Sequence, residues 1–181
     1  SLCARYAAQG ELEKALEIAE DLEELTASML AEAPNDARLL DILAICSTQR
    51  MSILAEMDNE AEVVRAGESA EALLRQMSEA SPESRRIAAS LLRVREGMAT
   101  SLERLGRAGE ALDVLRTAYA GAQSFDLENE QNPELLFLFG AAADSYAKIL
   151  HRWAGERDLA AAVLADAESA FVRVLQSQPE A

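Results

Sequence analysis

A fixed period runs through this chain. Gly10, Asp58, Gly106 and Gly155 are separated by 48, 48 and 49 residues. Each is followed five residues later by a small or β-branched apolar residue: Ala15, Val63, Ala111 and Ala160. The four prolines, Pro34, Pro82, Pro133 and Pro179, keep a looser version of the same beat, with gaps of 48, 51 and 46. A repeat of this length is the mark of a helical solenoid, in which each unit buries its apolar face against its neighbours.

The segments between these markers read as helices. Leu39, Ile42, Leu43, Cys46 and Ile53 recur at helical spacing, and so do Ile87, Leu91, Val94, Met98, Leu102 and Leu105. Each marker closes such a helix through a tight or left-handed turn. Glycine suits that turn, and Asp58-Asn59 is the next most tolerant choice. Second helices are predicted over 11–33, 60–80, 108 to about 121, and 156–175. Each ends before a proline, which disfavours helical geometry in the residue preceding it. Asn35-Asp36 and Ser81 are the expected caps of the following helices, with Pro82 in a first turn. Residues 121–132, with Phe125, Asp126, Glu128 and Glu130, read as a longer acidic loop. Only 4% of residues are aromatic, and alanine and leucine dominate the apolar set, which argues for helices over a sandwich or barrel.

A glycine closing one helix, alanine five residues on, and proline with a polar cap at the end resemble the tetratricopeptide repeat. Gly10, Ala15, Leu16, Pro34 and Asn35, then Gly106, Ala111 and Leu112, carry the likeness. That family's unit is about 34 residues, and the surplus here adds roughly two turns to each helix. The pattern is similar also to long-helix repeats attached to some bacterial signalling proteins, including serine/threonine kinases. The resemblance implies an all-α, right-handed solenoid of antiparallel helix pairs, about 3.5 repeats in one domain over 1–181. The units are 1–33 (partial), 34–81, 82–132 and 133–181. Opening at Ser1 in a helical pattern, the chain is expected to be a fragment of a longer protein.

Charge and chemistry narrow the function. With 17 Lys plus Arg against 32 Asp plus Glu, the net charge of -15 opposes nucleic acid and anionic membranes as partners. No apolar run is long enough to span a bilayer, and no signal peptide opens the chain. Cys3 and Cys46 lie in helical patterns without metal-ligand spacing. Buried free thiols and a cytoplasmic location are expected. His151 is the single histidine and has no ligand partners nearby in sequence, so a structural or surface role is expected. Glu13, Glu17, Glu20 and Glu24 form a solvated stripe, and no acid–base pair, phosphate loop, cofactor site or metal site is expected. Trp153 is expected to cap the Gly155 hinge.

In the tetratricopeptide family the first helix of each pair lines an inner groove. The resemblance places Thr48 and Ser52 there, followed by Arg93, Glu96, Thr100 and Glu103, then Ser145, Ile149 and Arg152. The lengthened helices would add Arg38, Asp41, Arg86, Ser90, Leu138 and Ala142. The segment from Ser81 to Arg107 carries six arginines against three glutamates, whereas Glu11 to Asp36 carries nine acids against Lys14. Arg86, Arg93, Thr100 and Arg104 fall on one stripe. Two readings stand: a groove for an acidic or phosphorylated peptide, or arginines that pair with acids on flanking helices. The apolar run Leu135–Phe139 is expected to be buried between neighbours, with Leu138 the anchor if it faces the groove. The widely apolar last helix is a candidate homodimer surface. A protein-interaction scaffold is the leading expectation, homo-oligomerisation the second, and an α-helical enzyme a distant third.

Overall fold

The computed structural model describes residues 2–33, 36–127 and 129–177. Pro34, Pro179, the cap residue Asn35 and Glu128 of the acidic loop lie outside them. Among the described residues the chain is all-helical, with no strand. It forms α1 (Leu2–Ala8), α2 (Leu12–Glu32), α3 (Ala37–Glu56), α4 (Glu60–Ala80), α5 (Arg85–Arg104), α6 (Ala108–Ala122), α7 (Pro133–Ile149) and α8 (Arg157–Ser177). A π-helical turn, Leu150–Ala154, extends α7. The chain divides into two compact units, Ser1–Pro82 and Glu83–Ala181. In the first, α1 packs on α2, α2 on α3, and α3 on α4. In the second, α5 packs on α6 and α7, α6 on α7, and α7 on α8.

The four markers share one backbone conformation. Gly10, Gly106 and Gly155 have φ of 78°, 76° and 68°, and Asp58 is the positive-φ non-glycine residue at 54°. Three of these turns close with the same pair of hydrogen bonds. Gly10, Asp58 and Gly106 donate to Ala7, Ala55 and Glu103, while Glu11, Asn59 and Arg107 reach back to Tyr6, Leu54 and Leu102 at 3.0, 3.0 and 2.8 Å. This double closure satisfies carbonyls that a helix end otherwise orphans. The next helix starts at once, from Glu11, Asn59 and Arg107, without a side-chain cap.

The residues five beyond each marker have a common packing role. Ala15, Val63, Ala111 and Ala160 are all buried. Their N–H groups bond the carbonyls of Glu11, Asn59, Arg107 and Glu156 at the start of each second helix. A small side chain one turn into the helix lets two axes cross closely.

First helices begin at side-chain caps with a stricter period than the prolines. Asp36 accepts from Arg38 and Leu39, Ser84 from Ile87, and Asn132 from Glu134 and Leu135. Successive caps are 48 residues apart. Ser81 is not a cap: it lies at the C-terminal end of α4, and Ser84 does the capping. Pro82 accordingly sits in the preceding turn, whereas Pro133 takes the first position of α7. The uneven proline gaps follow, because proline needs only to avoid the helix interior. Cap to marker is 22 residues for Asp36 to Asp58 and for Ser84 to Gly106, but 23 for Asn132 to Gly155. The extra residue coincides with the π-helical turn, the usual way a helix absorbs a one-residue insertion.

Trp153, in that turn, is 60% exposed. Cys3 and Cys46 are buried and free, and burial pushes both thiols up. His151 is exposed. No described helix is long and apolar enough to cross a membrane.

The left-handed turn makes a direct prediction. A Cβ added at Gly106 meets nothing within 4 Å, so Gly106→Ala should lose about 1 kcal/mol from φ alone. Gly109→Ala, also in open space but inside α6, should gain about 0.5 kcal/mol. Urea unfolding of the two variants measures this opposite sign.

Candidate functional site

Several of the sequence-predicted groove residues of the second unit come together where α5 packs on α7. Arg93 of α5 donates to Glu134 of α7 at 2.7 Å. Ser145 of α7 donates to Glu96 of α5 at 3.5 Å, and Thr100 donates to the same Glu96 oxygen at 3.3 Å. Further along, Arg152 of the π-helical turn pairs with Glu103. The contacts Glu96–Ser145 and Glu103–Arg152 each join residues 49 apart, the marker interval from Gly106 to Gly155. The helices therefore run in the same direction and, over these two contacts, in register with the repeat, which yields a polar strip of mixed charge.

The remaining expectations divide. Arg86 and Arg104 are exposed on α5, and Ser90 is half-buried. Thr48 and Ser52 belong to α3 of the first unit, where their hydroxyls donate to carbonyls of their own helix. Ala142 and Ile149 do not face the strip, being 0% and 2% exposed. Each lies about 40–60° round the helix from Ser145, enough to turn it into the core. Leu138 is half-buried, while its neighbour Phe137 is exposed and sets its ring edge-on to Phe171. The apolar run is spent on three packing partners, since α7 touches α5, α6 and α8.

Several of the arginines pair with acids, as one of the two readings expects. Besides Arg93, Arg85 binds Glu130 at 2.6 Å, Arg107 forks onto Glu110, and buried Arg95 donates to the Thr117 carbonyl at 3.5 Å. The acid stripe of α2 is likewise not wholly solvated, because Glu20 lies near Arg50, 3.6 Å away. Glu23, outside that stripe, accepts from Arg50 at 2.8 Å and from buried Ser47.

Sequence reasoning missed the residue that organises the loop between α6 and α7. Glu130 is only 4% exposed. One carboxylate oxygen accepts the N–H groups of Gln131 and Asn132, both at 2.9 Å, and the other accepts from Arg85. Arg173 of α8 donates to the carbonyls of Leu127 and Glu130. Loop residues are thereby stitched to α5 and α8. Burial pushes the Glu130 carboxyl up, but bonds from Asn132, Arg85 and Gln131 outweigh it and hold it below its usual range. Nearby, Tyr119 donates to Asp166 and stacks on Phe139 at 5.8 Å. Burial, then that hydrogen bond, pushes its phenol far above the usual range, so it remains a donor. In sequence, Glu130 is one acid among several. Only its place two residues before the Asn132-Pro133 helix start distinguishes it.

No cluster of potential metal ligands occurs among the described residues. No family model, curated protein or solved structure matches this chain. Its own geometry supplies the argument.

The depressed Glu130 carboxyl predicts a pH dependence. A folded-state pKa below the unfolded value contributes stability above about pH 4.5, lost as pH falls through the folded value. Glu130→Gln should therefore lose about 1–3 kcal/mol at neutral pH. Its gap to the parent protein should narrow below pH 4.5 when urea midpoints are compared.

Proposed function

We propose that this chain is a non-catalytic interaction module of the tetratricopeptide type, a right-handed stack of antiparallel helix pairs. It docks a segment of a partner protein along the α5–α7 strip. The repeating turn and cap geometry supports the repeat type. The observation that carries the docking reading is the strip itself, a row of cross-helix contacts of which Glu96–Ser145 and Glu103–Arg152 are in register with the chain's own period.

Its ion pairs are poised for exchange. The Arg93 and Glu134 side chains are 55% and 61% exposed, and Arg152 is 61% exposed. Exposed pairs of this kind contribute only about 0–1 kcal/mol. A carboxylate or phosphate on a partner can displace Glu134 from Arg93, or Glu103 from Arg152, at little cost. The guanidinium fork then makes a two-point contact. Arg86 and Arg104 add positive potential on the same helix, and Ser90, Thr100 and Ser145 offer neutral hydrogen bonds. The partner segment is thus acidic or phosphorylated, and binding weakens with salt.

Selection from a displayed library of acidic and phosphoserine peptides tests this. The winners should bind an Arg93→Glu/Arg152→Glu variant at least about tenfold more weakly, with helicity unchanged by circular dichroism. Equal binding by parent and variant would remove the strip from consideration.

A second reading rests on α8. Leu164 stands 49 residues after Leu115, as Gly155 stands after Gly106. Leu115 is fully buried, yet Leu164, Val172 and Leu175 are 40%, 50% and 70% exposed. This unpartnered face supports self-association. In that case light scattering shows a dimer that Leu164→Glu dissociates. A parent chain that stays monomeric at every concentration dismisses it.

A further inference from the structure

The second unit breaks its repeat at one place. α2, α4 and α8 each run for 21 residues, whereas α6 stops after 15. Yet Gly106 to the Asn132 cap spans 26 residues, the same as Asp58 to Ser84. Nothing has been inserted. The residues missing from the helix pass instead as irregular backbone over 123–127 and 129–132, and an open cavity of about 640 Å³ lies between residues 123–127, α7 and α8.

The cavity has the make-up of a small-molecule site. Leu136, Phe139 and Ala170 give it an apolar floor, and Phe125 and Leu127 add apolar surface from the loop. Asp126 and Asp166 set two carboxylates in the lining, each already oriented by one neighbour. Asn129 donates to Asp126 at 2.8 Å, and Tyr119 donates to Asp166. Among the described lining residues Arg173 is the one cation, and both its terminal nitrogens are committed to the Leu127 and Glu130 carbonyls. The lining exposes more polar than apolar surface, so directed polar groups set beside an aromatic patch, and not apolar enclosure alone, give the cavity its character. The Glu130 and Arg173 bonds hold the wall in place before any ligand arrives, which lowers the cost of binding.

Charge selects the ligand. Two carboxylates against one occupied guanidinium leave the lining net negative in a chain of net charge -15. An anion is repelled, and a wholly apolar ligand would strip water from the carboxylates without replacing it. We propose that this cavity binds a cationic amine or guanidinium on an apolar body, the cation paired with Asp166 and Asp126 and the body against Phe139. Such a group reaches the cavity as a free small amine or as a lysine or arginine side chain of a partner. The site shares no residue with the α5–α7 strip, so either can fail without the other.

The test uses 2-phenylethylamine, its neutral counterpart 2-phenylethanol, and the capped dipeptide N-acetyl-Phe-Lys-amide, each titrated into the intact chain and followed by amide NMR shifts. The expected result is saturable shifts at Gln123, Ala170 and neighbouring amides with an amine probe and not with the alcohol. Asp166→Asn, which keeps an acceptor for Tyr119, should weaken binding about fivefold or more. Ala170→Leu, which fills the floor, should abolish it, and the Arg93→Glu/Arg152→Glu variant should bind as the parent does. If Asp166→Asn fails to fold, Asp126→Asn on the exposed loop replaces it. Tighter binding of the dipeptide names a partner's side chain as the source, and tighter binding of the free amine names a metabolite. No saturable shifts, equal shifts with the alcohol, shifts elsewhere, or unchanged affinity in the charge variants would overturn the proposal.

Discussion

The left-handed turn is the constraint on which the rest of this structure depends. At Gly10, Asp58, Gly106 and Gly155 a helix stops with positive φ and a second helix starts within two residues. So short a connection leaves the two helices nothing to do but pack against each other. Close packing in turn demands a small or compact residue near the turn, which is why Ala15, Val63, Ala111 and Ala160 are buried. That one backbone conformation, repeated every 48 or 49 residues, sets the pairing and the register of the side chains around it.

Register explains the polar strip. α5 and α7 occupy the same place in successive repeats, so equivalent faces lie side by side and contacts recur at the marker interval. Charge on such a surface has two uses. Paired within the unit, arginine and glutamate keep an α-helical surface hydrated at small net gain. Exposed and exchangeable, the same side chains offer a partner a ready pattern of opposite charge. The pairing of Arg93 with Glu134 serves the first use without forbidding the second.

Departures from the repeat concentrate in the second unit. A one-residue surplus coincides with the π-helical turn, and six residues withdrawn from α6 leave an irregular segment beside an open cavity. Irregular backbone at that position survives because buried Glu130 and Arg173 satisfy N–H and carbonyl groups that a continuing helix would have satisfied itself. An intact helix would have been the simpler solution. A break stabilised this thoroughly, next to oriented carboxylates and an aromatic floor, is where a locally inconsistent structure most often serves a function.

Turn and helix positions were legible in the sequence because they depend on local chemistry. Glycine and aspartate at positive φ, Asp36 at a helix start, and the 48-residue period all act within a few residues of themselves. Of the arginine stripe, the helical face was legible and pairing was one of two readings, but which acid pairs was not, since Glu134 meets Arg93 only across two packed helices. Ala142 and Ile149 were misplaced for the same reason: three neighbours on α7 widened its buried arc beyond what one groove face would leave free. The burial of Glu130 was not legible, because an acid in an acidic loop looks solvated until distant Arg85 meets it. The sequence by itself determined an all-helical chain with a fixed repeat, since hydrogen bonding and φ preference are short-range. Only the tertiary structure decided which charges are paired, which acid is buried and where a cavity opens, because burial and electrostatics depend on what the rest of the chain brings near.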